Sequence, residues 1–167
     1  MTYKKISIIG LGFIGLPLFV YLNSKLKNQV IGIDKKSLLT ENKFLKLRKG
    51  TNPIKSNDKN FDKLLKKISM KKLSLSTNIN DIKKTSTVVV SVGFDLTKRN
   101  SINNLKKLFK QIGQIIEENT LIIFETTVLP GTSENIILPI LKKEIEKRDL
   151  NFGKIYFSYS FERITPG

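Results

Sequence analysis

Three places in the sequence hold residues whose types and spacing could do chemistry. The first is "KKISIIGLGFIGLPL" (4–18), where an apolar run enters Gly10-Leu11-Gly12-Phe13-Ile14-Gly15. The second is "FETTVLPGT" (124–132), with two adjacent threonine hydroxyls before a Pro-Gly turn. The third is Phe161-Glu162-Arg163-Ile164, a carboxylate and a guanidinium close behind an apolar stretch. Glycines in the first pattern let a backbone approach a phosphate. Hydroxyls and a carboxylate can hold a water and move its proton.

A glycine pattern of this kind carries weight only in context. It needs a strand before it, a helix after it, and an acidic residue about 20 positions on, at the end of the next strand. "KISIIG" precedes it, Ile14, Leu18, Leu22 and Leu26 form a helical row behind it, and Asp34 ends "QVIGID". Gly10 then permits the tight turn, Gly12 the approach to a pyrophosphate, and Gly15 the close packing of helix on strand. The helix N-terminus adds N–H groups and partial positive charge. Asp34 is expected to take hydrogen bonds from an adenosine ribose diol and to favour NAD over NADP, a preference softened by Lys35 and Lys36.

The elements that would position these groups alternate. Strands are expected at Lys5–Gly10, Gln29–Asp34, Leu73–Thr77, Thr87–Gly93, Thr120–Thr126 and Lys154–Ser160. Several are continuous apolar runs, the pattern of parallel strands covered on both faces. Helices are expected over Leu38–Arg48, near Phe61–Ile68, and after Ser101, read as the N-cap of a stripe running from Ile102 to Ile116. A further helix is capped by Thr132 or Ser133 and kinked at Pro139. The fold class is therefore α/β, a doubly wound, mostly parallel six-stranded sheet of Rossmann type with helices on both faces, over a single domain 1–167. Ligands of such sheets sit beyond the carboxyl ends of the strands, which brings Gly10, Asp34, Val92-Gly93-Phe94, Glu125-Thr126-Thr127 and Glu162 to one rim.

Composition narrows the class. The sequence contains no Cys and no His, so Cys/His zinc sites, disulfides and Ser-His or Cys-His pairs cannot be built from it. No apolar run is long enough to span a bilayer, and the N-terminus lacks a signal-peptide cleavage pattern, so a cytoplasmic protein without a membrane partner is expected. Net charge is +16, which raises a nucleic-acid partner as one reading. The lysines are scattered over presumed polar helix faces, however, and no specific nucleic-acid binding is expected.

Taken in order, "IIGLGFIGLPL", "GID", "ETTVLPGT" and "FERITPG" resemble the N-terminal NAD-binding domain of the UDP-glucose/GDP-mannose 6-dehydrogenase family, over essentially the whole chain. The ending resembles the branch that acts on UDP-N-acetylhexosamines more than the UDP-glucose branch. The resemblance implies a nucleotide-sugar 6-dehydrogenase that oxidises the C6 alcohol of a UDP-sugar to a carboxylate with two NAD, through an adduct on a catalytic Cys, in polysaccharide biosynthesis. It implies Thr127 and Glu162 as catalytic residues, holding a water and moving protons. It implies Phe161, Glu162, Arg163 and Ile164 along the sugar nucleotide. The cofactor-binding set is Gly10, Gly12, Phe13, Ile14, Gly15, Asp34 and Lys35, with Val92, Gly93, Thr126 and Thr127 from later strand ends.

Two departures stand out. The loop "VGFDLTKRN" (92–100) replaces the family's Pro-Thr-Pro-like turn. The family's dimerisation helix, second nucleotide-binding domain and nucleophilic Cys are not in these 167 residues. Full-length members of this kind are expected to be homodimers, and this piece a monomer that binds NAD without completing the oxidation. The alternative is a truncated, non-catalytic nucleotide-binding paralogue.

Overall fold

The computed structural model of the protein describes residues 5–26, 29–54, 58–69, 73–95 and 98–162. Six strands form one sheet: β1 (Ile6–Ile9), β2 (Val30–Ile33), β3 (Ser74–Ser76), β4 (Thr87–Val90), β5 (Leu121–Phe124) and β6 (Tyr156–Tyr159). Their order is β3-β2-β1-β4-β5-β6 and every pairing is parallel. The chain starts at the centre, winds outward to β3, then crosses back to build the other half. That reversal leaves a crevice at the carboxyl end of β1 and β4.

The helices are α1 (Gly15–Lys25), α2 (Leu38–Arg48), α3 (Lys59–Ser69), α4 (Arg99–Ile115) and α5 (Leu138–Glu146). Because side chains alternate along a strand, β1, β2, β4 and β5 each feed two cores. Ile8, Val30 and Val89 join Leu16, Phe19 and Val20 of α1 and Leu65 of α3 on one face. Val88, Val90, Ile122 and Phe124 join Leu105, Phe109 and Leu141 on the face of α4 and α5. Phe109 meets Phe124 edge-on at 5.1 Å between ring centres, in the T-shaped geometry that aromatic quadrupoles favour.

Several local expectations are corrected. Helix α4 begins at Arg99, so Ser101 does not cap it; its Oγ instead accepts from the Asp95 N–H at 3.3 Å. Thr132 is itself helical and makes no capping bond, while the Ser133 hydroxyl is buried without a partner. Pro139 lies just past a π-helical turn over Ser133–Ile137, in the first turn of α5. The apolar row of α1 is also displaced: Leu16, Phe19 and Val20 are its buried face, with Leu18 and Leu22 flanking it.

Candidate functional site

The site is built from the first residue past each strand. The register aligns Ile9 with Ile33 and Val90, Val90 with Phe124, and Phe124 with Tyr159. One step further, Gly10, Asp34, Ser91, Glu125 and Ser160 therefore stand along a single rim. Ladder bonds hold them there: Gly10 N–H to the Ile33 carbonyl at 2.8 Å, Ser91 N–H to Ile9 at 2.8 Å, and Glu125 N–H to Val90 at 2.9 Å.

The glycine loop shows why its residues are glycine. Gly10 has φ of +91°, and a Cβ there would lie 2.3 Å from the Ser91 carbonyl oxygen. A Cβ on Gly15 would lie 2.0 Å from the Gly10 carbonyl oxygen. Gly12 is different, since nothing of the protein lies within 4 Å of the place its Cβ would take. That open side faces the mouth of the crevice. Helix α1 starts directly behind the loop, with Ile14 at its entry and no acidic residue in its first turn to neutralise the positive end. Phe13 is half exposed beside it.

A cleft of about 840 Å³ opens from this loop. Gly10, Gly12, Asp34, Lys35, Val92 and Gly93 line it, and Thr77–Ile79 and one side of α4 close it. Its size is that of a small-molecule or cofactor site. Asp34 is fixed within it: Oδ1 accepts the Lys35 N–H at 2.8 Å and Oδ2 the Lys43 ammonium at 2.6 Å. Lys43 also donates to the Leu11 carbonyl at 2.8 Å, tying α2, the glycine loop and the end of β2 together. Lys43 is missing from the set read from sequence. It sits within a lysine-rich helix, and nothing in the pattern separates it from Lys46 or Lys49. An open glycine loop, an unneutralised helix start and an aspartate at the end of β2 fit a dinucleotide.

The second part of the rim lies beyond β5 and β6. Thr126 is buried and its hydroxyl is fully engaged, donating to the Val92 carbonyl at 2.8 Å and accepting the Val92 N–H at 3.1 Å. It clamps the loop after β4 to the end of β5. Thr127 is exposed, and its Oγ1 donates to the Glu162 carbonyl at 2.9 Å. The Val128 N–H donates to the Tyr159 hydroxyl at 3.3 Å. Two segments 35 residues apart in sequence are thus joined at the rim. Phe161 stacks at 6.0 Å on Tyr159 and is half exposed. Burial and the neighbouring Glu162 push the Glu125 carboxyl above its usual range. Arg163 and Ile164 lie outside the described residues.

Residues 4–167 match the model of the UDP-glucose/GDP-mannose dehydrogenase family, NAD binding domain. The chain is 32% identical over 170 residues to UDP-N-acetyl-D-glucosamine 6-dehydrogenase of Pseudomonas aeruginosa, covering 100% of this chain and 37% of that protein. It is 31% identical to Protein CapL of Staphylococcus aureus, covering 98% of this chain and 36% of CapL. Among solved structures, NDP-N-acetyl-D-galactosaminuronic acid dehydrogenase from Methanosarcina mazei Go1 shares the fold at a TM-score of 0.81 and 23% identity, over 98% of this chain and 35% of that one. UDP-D-ManNAc dehydrogenase from Pyrococcus horikoshii aligns with a TM-score of 0.76 at 25% identity, over 98% and 37%. The chain thus spans little more than a third of the length of the relatives it matches. With the glycine loop, Asp34 and the strand order in agreement, it belongs to the UDP-glucose/GDP-mannose dehydrogenase family, as its NAD binding domain.

Proposed function

We propose that this chain is the NAD-holding part of a nucleotide-sugar 6-dehydrogenase, acting on a UDP-sugar of the N-acetylhexosamine or glucose type. The observation that carries it is the shared rim. The dinucleotide cradle and the Thr127–Glu162 pair lie at the carboxyl edge of one sheet, where a hydride acceptor and a proton acceptor are needed side by side. Bound NAD supplies the hydride acceptor, and two equivalents take an alcohol to a carboxylate.

The chain's own residues have distinct tasks in this reading. Gly10, Gly12 and Gly15, with Phe13 and Ile14 at the helix entry, seat the pyrophosphate. Asp34 and Lys35 orient the adenosine ribose. Val92 and Gly93, held by Thr126, form the wall toward the nicotinamide. Thr127 positions a water, and Glu162 takes its proton. Phe161, Glu162, Arg163 and Ile164 run along the sugar nucleotide. The sequence has no Cys, so a thiol nucleophile must come from outside residues 1–167. Polysaccharide biosynthesis, a cytoplasmic setting and a homodimeric longer form, with this piece alone a monomer, complete the proposal. Among the described residues no helix is long and apolar enough to cross a membrane.

Calorimetry of NAD binding is the test. Asp34→Ala is expected to weaken binding by about 1–3 kcal/mol, the worth of a lost charged hydrogen bond. Unchanged affinity would overturn the cofactor placement. The alternative reading is a non-catalytic nucleotide-binding module. An intact mass of the native product well above 19.0 kDa, with a Cys-bearing second half, decides against it.

A further inference from the structure

Lys43 lines the cleft and has no task in the proposed function. Helix α2 sets where it stands. Ser37 caps that helix by accepting the Thr40 N–H at 3.1 Å, and the Thr40 hydroxyl donates to the Lys35 carbonyl at 2.7 Å. Phe44 and Leu47 anchor the same helix in the core on the α1 side of the sheet. The Lys43 ammonium then reaches across to Asp34 Oδ2 at 2.6 Å and to the Leu11 carbonyl at 2.8 Å. The pair is largely withdrawn from solvent, with side chains 22% and 16% exposed for Lys43 and Asp34. An ammonium carries three N–H donors, so among the described residues one is left over at the wall of the cleft. Lys35 and Lys36 follow Asp34 in sequence, but both are exposed and their charge is screened by water and salt.

We infer that Lys43 is a specificity-determining residue for the 2′ position of the adenosine ribose, and that it lets the cradle take a dinucleotide bearing a 2′-phosphate as well as one bearing a 2′-hydroxyl. An aspartate at the end of the second strand selects the diol in two ways: it accepts from the hydroxyls, and its charge repels a phosphate. Lys43 leaves the first intact. Each carboxylate oxygen has two lone-pair sites, and Oδ1 and Oδ2 have each met one donor, from Lys35 and Lys43. Lys43 cancels the second, because the ion pair carries no net charge to repel a phosphate. Its remaining N–H then offers a phosphate oxygen a charge-assisted hydrogen bond. The inference rests on the dinucleotide reading of the proposed function and adds which cofactors the ribose end admits.

The test is calorimetry of NAD and of NADP on the 167-residue chain and its Lys43 variants, read as the ratio of the two dissociation constants. The parent is expected to bind the two within about tenfold of each other. Lys43→Met is expected to weaken NADP by about ten- to a hundredfold, the loss of a hydrogen bond to a charged group, while NAD changes much less. Lys43→Arg keeps the charge and is expected to keep the parent ratio. A merely structural tie between α2 and the glycine loop would weaken both nucleotides alike. An unchanged ratio in Lys43→Met therefore overturns the inference, as does a parent that binds NAD and excludes NADP. If Lys43→Met does not fold, Lys43→Gln keeps a donor for the Leu11 carbonyl without the charge. It must shift the ratio in the same direction, and a ratio it leaves unmoved overturns the inference. NAD bound with an unmoved ratio sinks this inference alone and leaves the proposed function standing, whereas a parent that binds neither nucleotide sinks both.

Discussion

At Gly10 and Gly12 two glycines in one motif face opposite constraints. Gly10 is required by the protein itself, with φ of +91° and the Ser91 carbonyl where a Cβ would go. Gly12 is required by nothing in the protein, since the space beside it is open. Gly10→Ala is therefore expected to cost more than about 1 kcal/mol of stability, the penalty of alanine forced into a left-handed conformation. Gly12→Ala should leave the melting temperature close to the parent while weakening NAD binding, because the new methyl projects where a pyrophosphate would lie. Scanning calorimetry and NAD titration of the two variants read this directly. Equal melting temperatures for the two would contradict the packing, and unchanged NAD affinity in Gly12→Ala would contradict the cradle.

Between elements, side-chain hydrogen bonds do part of the joining. Thr126 spans β5 and the loop after β4 with both halves of its hydroxyl. Thr126→Val keeps the shape and removes both bonds, with an expected loss of about 1–3 kcal/mol read by denaturant unfolding. A loss no larger than that of a surface substitution would mean the loop is held by other contacts. Glu144 joins α5 to α4: its buried carboxylate accepts from Gln114 at 2.8 Å and from Lys147 at 2.9 Å. These partners hold its carboxyl below the usual range. A carboxyl lowered by folding contributes stability above its unfolded value, near pH 4, and loses that contribution as pH falls through the lower folded value. Glu144→Gln should then be less stable than the parent at neutral pH, the gap closing below roughly pH 4. A gap that is constant with pH would assign the effect to packing instead.

The six strands and their parallel, doubly wound arrangement were legible because long apolar runs alternating with helical patterns leave few alternatives. Gly10–Gly15 and Asp34 were legible because their spacing is a backbone requirement. What escaped was set by contacts distant in sequence. Lys43 reaches Asp34 and Leu11 only once α2 is docked, and Ser101 has no cap role because α4 already begins at Arg99. The π-turn ahead of Pro139 has no composition signal of its own.

Over the whole molecule, the charge of +16 has to be weighed against the cleft. Lys106, Lys107, Lys110, Lys143 and Lys147 line a shallow groove between α4 and α5, on a different side of α4 from the residues that close the cleft. A polyanion attracted there would make phosphate contacts through flexible ammonium groups. Its affinity should then fall with salt at a log–log slope of about −4 to −5 if all five contribute. NAD seated on backbone N–H groups depends far less on released counterions. Duplex DNA should accordingly be retained at low salt, released near physiological ionic strength, and fail to compete with NAD at any salt. NAD at about a hundred times its Kd should add about 2.7 kcal/mol of stability, a rise of roughly 5–10 °C in a domain of this size. Fluorescence anisotropy of labelled duplex across a salt series, with and without NAD, measures both ligands on one sample. DNA held at physiological salt and displaced by NAD would place both ligands in the cleft and make nucleic acid a true partner. Release on schedule, with the NAD-induced rise in melting temperature intact, assigns the lysines to the solvated surface and the binding energy to Gly10–Gly15 and Asp34.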